Sequence, residues 1–389
     1  MTSETGAPAA GRPKATHTSH TISLARVICV FGIVYVHAWT GQYGGALERL
    51  ATSPEGILRI ILMEGVGRSA VPLLGMISGW LVGSSAEKRG YGAFLYGKAR
   101  TILLPMLLWN LFSIVFVSGA AYLGWIQAPI PTNPWWFLDE LLCFVTPNDI
   151  NVQTYFLRDL FLCMALAPLL VRWKDRWLLL LALFFSGWAI YGVKFPLFLR
   201  PQIMVFFSIG ILARRHGLAT RIGGWNAVSA MLPYLVLVSL RIPAEIFGWA
   251  KPYQMAATAF DLVLRIAAAV FFWRLCWVLA DRWFGQRVRR LEPYVFLTFC
   301  SHLILLWLLG PAMGQLTGPL GSSAWYAVFF VLQPIVAFAF AIVIGRGLGA
   351  IFPDFVAVLS GGRLHHGKKT ESWAPDGRVN AAETREQPA

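Results

Sequence analysis

The chain has 389 residues, of which 57% are hydrophobic and 13% charged, against roughly a quarter charged in an average soluble protein. Apolar runs of membrane-spanning length recur along nearly all of it, which excludes the two or three soluble domains that length alone would suggest. The net charge of +14, from 33 basic and 19 acidic residues, is spread over short loops and forms no basic stripe with interleaved aromatics, which speaks for membrane topology and anionic lipid and against nucleic acid.

Residues 1–21 are polar and rich in Ala, Thr, Pro and Gly, and read as a disordered cytoplasmic tail. A signal peptide would use Val27–Val36 as its apolar region, but no A-x-A-like site follows, so the segment reads as a retained first span. That span, about 22–40, contains LARVICVFGIVYVH from Leu24 to His37. Arg26 and His37 are eleven residues apart, almost three whole helical turns, so both point the same way, about 16 Å apart along the axis. Two readings stand: a juxtamembrane anchor with an interfacial histidine, or a cation and a titratable base on one buried face, which suggests chemistry or transport.

Further spans are expected at about 66–84, 101–124, 155–172, 176–193, 200–213, 225–247, 258–281, 291–313 and 324–350. The fold class is therefore all-α, a polytopic membrane bundle of about ten transmembrane helices with both termini cytoplasmic. Its domain occupies 22–350, and a polar cytoplasmic tail follows over 351–389. Loop charge agrees with this topology. The inner loops carry Lys88, Arg89, Lys98 and Arg100, then Arg172, Lys174 and Arg176, then Arg214, Arg215 and Arg221, then Arg282, Arg287, Arg289 and Arg290, and finally Arg363, Lys368 and Lys369. The outer loop from Trp125 to Thr154 has no Lys or Arg. Its Trp135 and Trp136 read as an interfacial belt, or as a platform on which a sugar stacks.

With this topology several ionisable groups share the depth of His37: Arg68 at the start of the second span, Arg158 and Asp159 near the outer end of the fourth, and His302 within the ninth. Asp159 could orient an imidazole, as a carboxylate does in hydrolase triads. Arg158 and Asp159 are neighbours and should not face each other on a helix, so each is expected to find a partner elsewhere. His302 alone reads as a helix–helix hydrogen bonder. Ser78–Gly79 reads as a place of close helix approach. The five cysteines show no CxxC pair, so no disulfide and no metal site are expected. The chain has no G-x-S-x-G elbow, P-loop or H-E-x-x-H.

Five segments in order resemble the membrane-bound acyltransferase-3 family, in its polysaccharide O-acyltransferase version. They are Arg26-x10-His37; RSAVPLLGMISGWLVG from Arg68 to Gly83; Lys98 and Arg100 running to Pro105, Leu108, Trp109 and Asn110; YFLRDLFLCMALAPLL from Tyr155 to Leu170; and TFCSHL around His302. The resemblance covers roughly residues 20–350. It departs from the family pattern at Tyr155, where Trp is usual, at Leu73-Leu74-Gly75, and at the basic pair, which is not a clean Arg-x-x-Arg.

The resemblance implies transfer of an acyl group, acetyl or succinyl, from acyl-CoA to a sugar hydroxyl of a surface polysaccharide or its lipid-linked precursor, at the bacterial inner membrane. Arg26, Lys98 and Arg100 would then hold the CoA phosphates, and His37 would act as general base. Arg68 or Arg158 would stabilise the oxyanion. An acyl-His intermediate is the competing mechanism. No permanently bound cofactor is expected; the partners are acyl-CoA, the glycan acceptor and membrane lipid. The other readings are a transporter using intramembrane His and Arg and a scaffold within a polysaccharide export complex.

Overall fold

The computed structural model describes residues 13–364 apart from 69, 86–89, 194 and 196, and among these all regular structure is helical. In chain order the main helices are α1 (Pro13–Val36), α2 (Pro54–Gly83), α3 (Tyr91–Tyr122), α4 (Val152–Leu170), α5 (Asp175–Tyr191), α6 (Gln202–Arg215), α7 (Ala227–Ile246), α8 (Lys251–Leu279), α9 (Trp283–Thr317) and α10 (Ala324–Ile351). All except α5 and α6 are long and apolar enough to cross a bilayer, which makes eight among the described residues. The expected spans at 176–193 and 200–213 are helices of 17 and 14 residues. The chain is a multi-pass membrane protein, and its outward faces suit a bilayer: Leu183, Phe184, Leu240, Val263 and Val343 are exposed, as apolar groups facing lipid are.

From Val27 to Val36 helix α1 is apolar on every side, the signature of a helix surrounded by protein. Leu24, Ala25, Val27, Val30, Ile33 and Val34 are all buried, and α1 packs against α2, α8, α9 and α10. Its crossing with α2 depends on two glycines. A Cβ on Gly67 would lie 2.6 Å from Val36 Cγ2 and 2.8 Å from the Gly32 carbonyl. Here α2 widens into a π-helical turn, Met63–Gly67, a distortion often found at functional sites. The expected close approach at Ser78–Gly79 is present. A Cβ on Gly79 would run into the Phe207 carbonyl, and one on Gly210 into that of Met76, so α2 and α6 touch backbone to backbone.

Both expected tails border on ordered helix. Helix α1 begins at Pro13, so residues 13–21 are helical, although composition reads them as tail; the first twelve residues lie outside the described set. His17 and His20, one turn apart, bond Asp281 at 2.5 and 2.6 Å in the link between α8 and α9. Burial pushes the Asp281 carboxyl up, but the bonds to the two imidazoles outweigh it and hold the carboxyl below its usual range. Composition registers the polarity of this stretch but not the distant carboxylate that orders it. At the other end, Pro353–Leu359 forms a short helix, and Trp109 Nε1 donates to the Leu359 carbonyl at 3.1 Å. Residues 365–389 lie outside the described set.

The long loop between α3 and α4 is folded back onto the bundle. Its short helix, Pro134–Leu142, is capped by Asn133. Glu140 accepts from the amides of Asp149 and Ile150 at 2.7 and 3.0 Å. Asn110 donates to the Leu141 carbonyl at 2.9 Å and accepts from Asn151 at 3.2 Å. Satisfying these buried polar groups carries Asp149, Val152 and Gln153 to the His37 end of α1.

Candidate active site

Helix α1 ends at Val36, and His37 sits in the turn that follows. The exit is fixed by one buried amide in α10. Gln333 accepts from Trp39 N at 2.7 Å and donates to Trp39 O at 3.0 Å, and the Tyr326 hydroxyl donates to the same carbonyl at 3.1 Å. His37 is thereby placed two residues before an anchored backbone. Its imidazole makes no hydrogen bond among the described residues.

The ring of His302, on α9, lies 5.7 Å from that of His37, centroid to centroid. His302 is fully buried. Its Nδ1 faces the carbonyls of Thr298 and Phe299 at 3.2 and 2.9 Å. Carbonyls only accept, so the ring proton belongs on Nδ1, and Nε2 is left as an acceptor. That Nε2 is buried and without a hydrogen-bond partner among the described residues.

His37 lies between two cavities. The larger, about 360 Å³, is lined by Arg68, Gln153, Tyr155, Arg200 and Arg265 over apolar walls that include Phe156, Phe206 and Phe299. Three guanidinium groups reach it, and no Asp or Glu lines it. Behind its wall two of the three are compensated. Arg68 pairs with buried Glu64 at 3.1 Å, and Arg265 with Asp261 at 2.8 Å. Arg241 completes the cluster, reaching Glu64, Glu245 and Asp261 at 3.3, 3.0 and 3.6 Å. Arg68, Arg241 and Arg265 thus pair with Glu64, Glu245 and Asp261, and Arg59 also acts electrostatically on Glu64 and Glu245. Arg200 is different. Its guanidinium lies over the Tyr155 ring at 5.1 Å, with no carboxylate in salt-bridge reach among the described residues. It is exposed, and it brings to the cavity a positive charge that no carboxylate pairs among the described residues.

The structure thus brings together His37, Arg68 and His302, and adds Arg200, Arg265 and Gln153. Gln153 Oε1 is buried and unpartnered, while its amide nitrogen donates to Asn151 at 2.5 Å. Asp159 and Arg158 take another place. Contrary to the expectation for neighbours, they pair with each other at 2.6 Å, because the long arginine side chain curls back along the helix. Asp159 is fully buried and also accepts from the amides of Leu199 and Arg200 at 3.4 and 2.7 Å. Arg158 donates to the Leu197 carbonyl at 2.8 Å. Neither lines the His37 cavities. Their work is to hold the turn before α6, which presents Arg200.

At the other end of α1, Arg26 is ion-paired with Glu292 at 2.9 Å, each side chain a quarter exposed. Lys98 lies over the Phe94 ring at 5.4 Å, and Arg100 is exposed. Arg363, over Phe296 at 4.5 Å, is coupled electrostatically to Arg26 and Glu292. Trp135 and Trp136 line neither His37 cavity; Trp136 Nε1 instead donates to Asp149 at 2.8 Å.

Some residues that sequence reading missed carried a signal. Arg241, Asp261 and Arg265 are ionisable groups inside apolar runs, which flags function or pairing by default. Gln333 is a single amide in another such run. Arg200, at the mouth of a short helix, carried none.

A family profile described as an acyltransferase domain, Acyl_transf_3, matches residues 19–345. The chain is 29% identical over 384 residues to the succinoglycan biosynthesis protein ExoH of Rhizobium meliloti (strain 1021), covering 93% of this chain and 96% of that one. No solved structure matches. The profile spans Arg26, His37, the arginine-lined cavity and the late-span histidine, and on that match the chain belongs to the acyltransferase-3 family.

Proposed function

We propose that this protein transfers an acyl group from acyl-CoA to a sugar hydroxyl of a surface polysaccharide or its lipid-linked precursor, at the bacterial inner membrane. The observation that carries this reading is the His37 imidazole, free of hydrogen bonds among the described residues, at the edge of a cavity lined by three arginines. The relative's name ties that protein to succinoglycan biosynthesis, which supports a glycan acceptor here.

In this reading the nucleotide end of CoA meets Arg26, Lys98 and Arg100 on the cytoplasmic side, and the thioester reaches the cavity. His37 takes the proton of the acceptor hydroxyl as its oxygen attacks the thioester carbonyl. Arg68 or Arg200 stabilises the oxyanion. Collapse breaks the C–S bond, and the imidazolium returns its proton to the departing thiolate. The unpartnered Nε2 of His302 is the acceptor nearest to hand for a His37 N–H once the ring turns toward it, and in that geometry it would select the tautomer whose other nitrogen accepts the proton. Attack by His37 itself, giving an acyl-imidazole, is the competing route.

Between acetyl and succinyl we favour succinyl. Its free carboxylate can pair with Arg200, an exposed guanidinium with no carboxylate in salt-bridge reach among the described residues, and acetyl makes no such pair.

The test uses membrane vesicles containing wild type or His37→Ala, acetyl-CoA and succinyl-CoA labelled in the acyl group, and glycan extracted from the host. Label should enter glycan from succinyl-CoA in wild type only. Equal incorporation by His37→Ala would end the mechanism. Uptake of solute without acyl transfer from either donor would move the assignment to a transporter.

A further inference from the structure

The second cavity beside His37 is smaller, about 150 Å³, and its chemistry is the opposite of the first. Its lining includes Trp39, Thr40, Tyr43, Asp149 and Trp307, with no Lys or Arg. His37 and Val152 belong to the linings of both cavities. One space therefore offers guanidinium groups without a carboxylate, and the other offers a carboxylate and aromatic rings without a cation.

The walls of the small cavity are held rigidly. The Trp39 backbone is clamped by Gln333, and its ring lies so close to α9 that a Cβ on Gly310 or Gly314 would overlap it. Trp307 Nε1 donates to the Ile150 carbonyl at 3.2 Å. Asp149 spends Oδ2 on Trp136 Nε1 at 2.8 Å, which leaves Oδ1 to accept another hydrogen bond. Tyr43 is 66% exposed and stands with Asp149 at the mouth. Aromatic faces beside a fixed carboxylate suit the C–H faces and hydroxyls of a sugar ring, and an acidic wall disfavours an anionic ligand.

Resting on the acyl-transfer reading above, we propose that this cavity is the acceptor subsite and binds one uncharged hexopyranose ring with a hydroxyl directed at His37. The anionic donor is excluded by Asp149 and drawn to the arginines on the other side. The two substrates are thus sorted by charge across a single histidine. The hydroxyl proton leaves to His37 from one cavity, and the new C–O bond forms to the acyl carbon held in the other.

The test uses full-length protein in nanodiscs with Tyr43→Ala and Asp149→Asn, both at exposed positions, and Arg200→Gln as the contrast. Radiolabelled neutral glucose and galactose tetrasaccharides are the probes, with a galacturonate tetrasaccharide as the charged control. Equilibrium dialysis needs no turnover. Wild type should bind the neutral sugars and not the uronate, and Tyr43→Ala and Asp149→Asn should each weaken binding about tenfold, while Arg200→Gln leaves it unchanged. In turnover with labelled acyl-CoA, the same two variants should raise the acceptor KM and leave the donor KM alone. Unchanged sugar binding in both variants, or a rise in donor KM instead, would overturn the subsite. Sugar binding that follows this pattern in a protein that transfers no acyl group would overturn the acyl-transfer reading and keep the subsite.

Discussion

Arg26 lies on α1 and His37 in the turn that closes it, eleven residues on, and their spacing invites equal weight for both. Their surroundings are unequal. Arg26 is closed into an ion pair with Glu292 at 2.9 Å. His37 stands between two cavities with no hydrogen bond among the described residues. The arginines around the larger cavity repeat the contrast: Arg68 and Arg265 have carboxylate partners behind the wall, and Arg200 has none among the described residues. A compensated charge can serve the fold alone. Arg200 is exposed, so water solvates it when the cavity is empty, and its charge stays available to an anionic ligand.

The sharpest way to break this comparison is at its free end. His37→Ala should lower acyl transfer by about 10²- to 10⁴-fold, the usual contribution of a positioned general base, with the melting temperature of the nanodisc-embedded protein near wild type. A drop confined to KM would return His37 to an interfacial role. Next in size, Arg200→Gln should raise the KM for succinyl-CoA about tenfold to a hundredfold, as expected for a lost charge-assisted hydrogen bond. It should change the KM for acetyl-CoA much less. Equal effects on the two donors would remove the argument for a carboxylate-bearing acyl group.

The paired end is best tested with a double-mutant cycle. Arg26→Gln breaks an ion pair as well as any phosphate contact, whereas Glu292→Gln breaks only the pair. If Arg26 serves the fold alone, the double variant should recover most of the loss seen in Arg26→Gln. If Arg26 holds phosphate, the KM for acyl-CoA should stay raised about tenfold in the double variant and stay normal in Glu292→Gln, read from initial rates against acyl-CoA concentration.

Smaller effects are expected from the supports. Gln333→Leu removes both bonds to Trp39 and leaves its buried amide and carbonyl short of partners, so it should cost about 1–3 kcal/mol of stability and lower kcat through a displaced His37. Loss of stability at full kcat would separate the clamp from the site. The smallest change is Asp281→Asn, at a half-exposed pair whose net worth is under about 1 kcal/mol. Because the Asp281 carboxyl is held below its usual range, its contribution is present at neutral pH and is lost as pH falls through that lowered value. The variant should speed amide exchange over residues 17–21 at neutral pH and leave acyl transfer unchanged, as read by hydrogen–deuterium exchange.

Much of the fold was legible because a bilayer imposes one rule on every span: apolar residues over a fixed length, with backbone hydrogen bonds closed inside a helix. That rule reads locally, and it located the helices α1 through α10, although α5 and α6 fall short of spanning length. It failed at the ends, where order comes from remote partners: Asp281 for His17 and His20, and Trp109 for the helix at Pro353–Leu359. The same limit governed the site. His37 and Arg68 stand out from their own segments, and Arg241, Asp261 and Arg265 stand out once each ionisable group in an apolar run is asked for its partner. The expectation that Asp159 orients the imidazole came from depth along the membrane, which does not specify direction around a helix. Its carboxylate turns instead to Arg158 and to the amides of Leu199 and Arg200.

By itself the sequence determined the class of the protein, its helices, its family resemblance and the place of His37 at the end of the first apolar run, because hydrophobic length and helical period act within one segment. Only the tertiary structure decided which charges are spent on each other and which face open space. It placed His302 beside His37, left Arg200 without a carboxylate, and opened cavities of unlike chemistry on the two sides of one imidazole. The physical reason is that pairing and cavity shape depend on distances between segments far apart in the chain, and those distances are settled by packing: by the glycines that let α1 and α2 touch, and by the single amide of Gln333 that fixes where α1 ends.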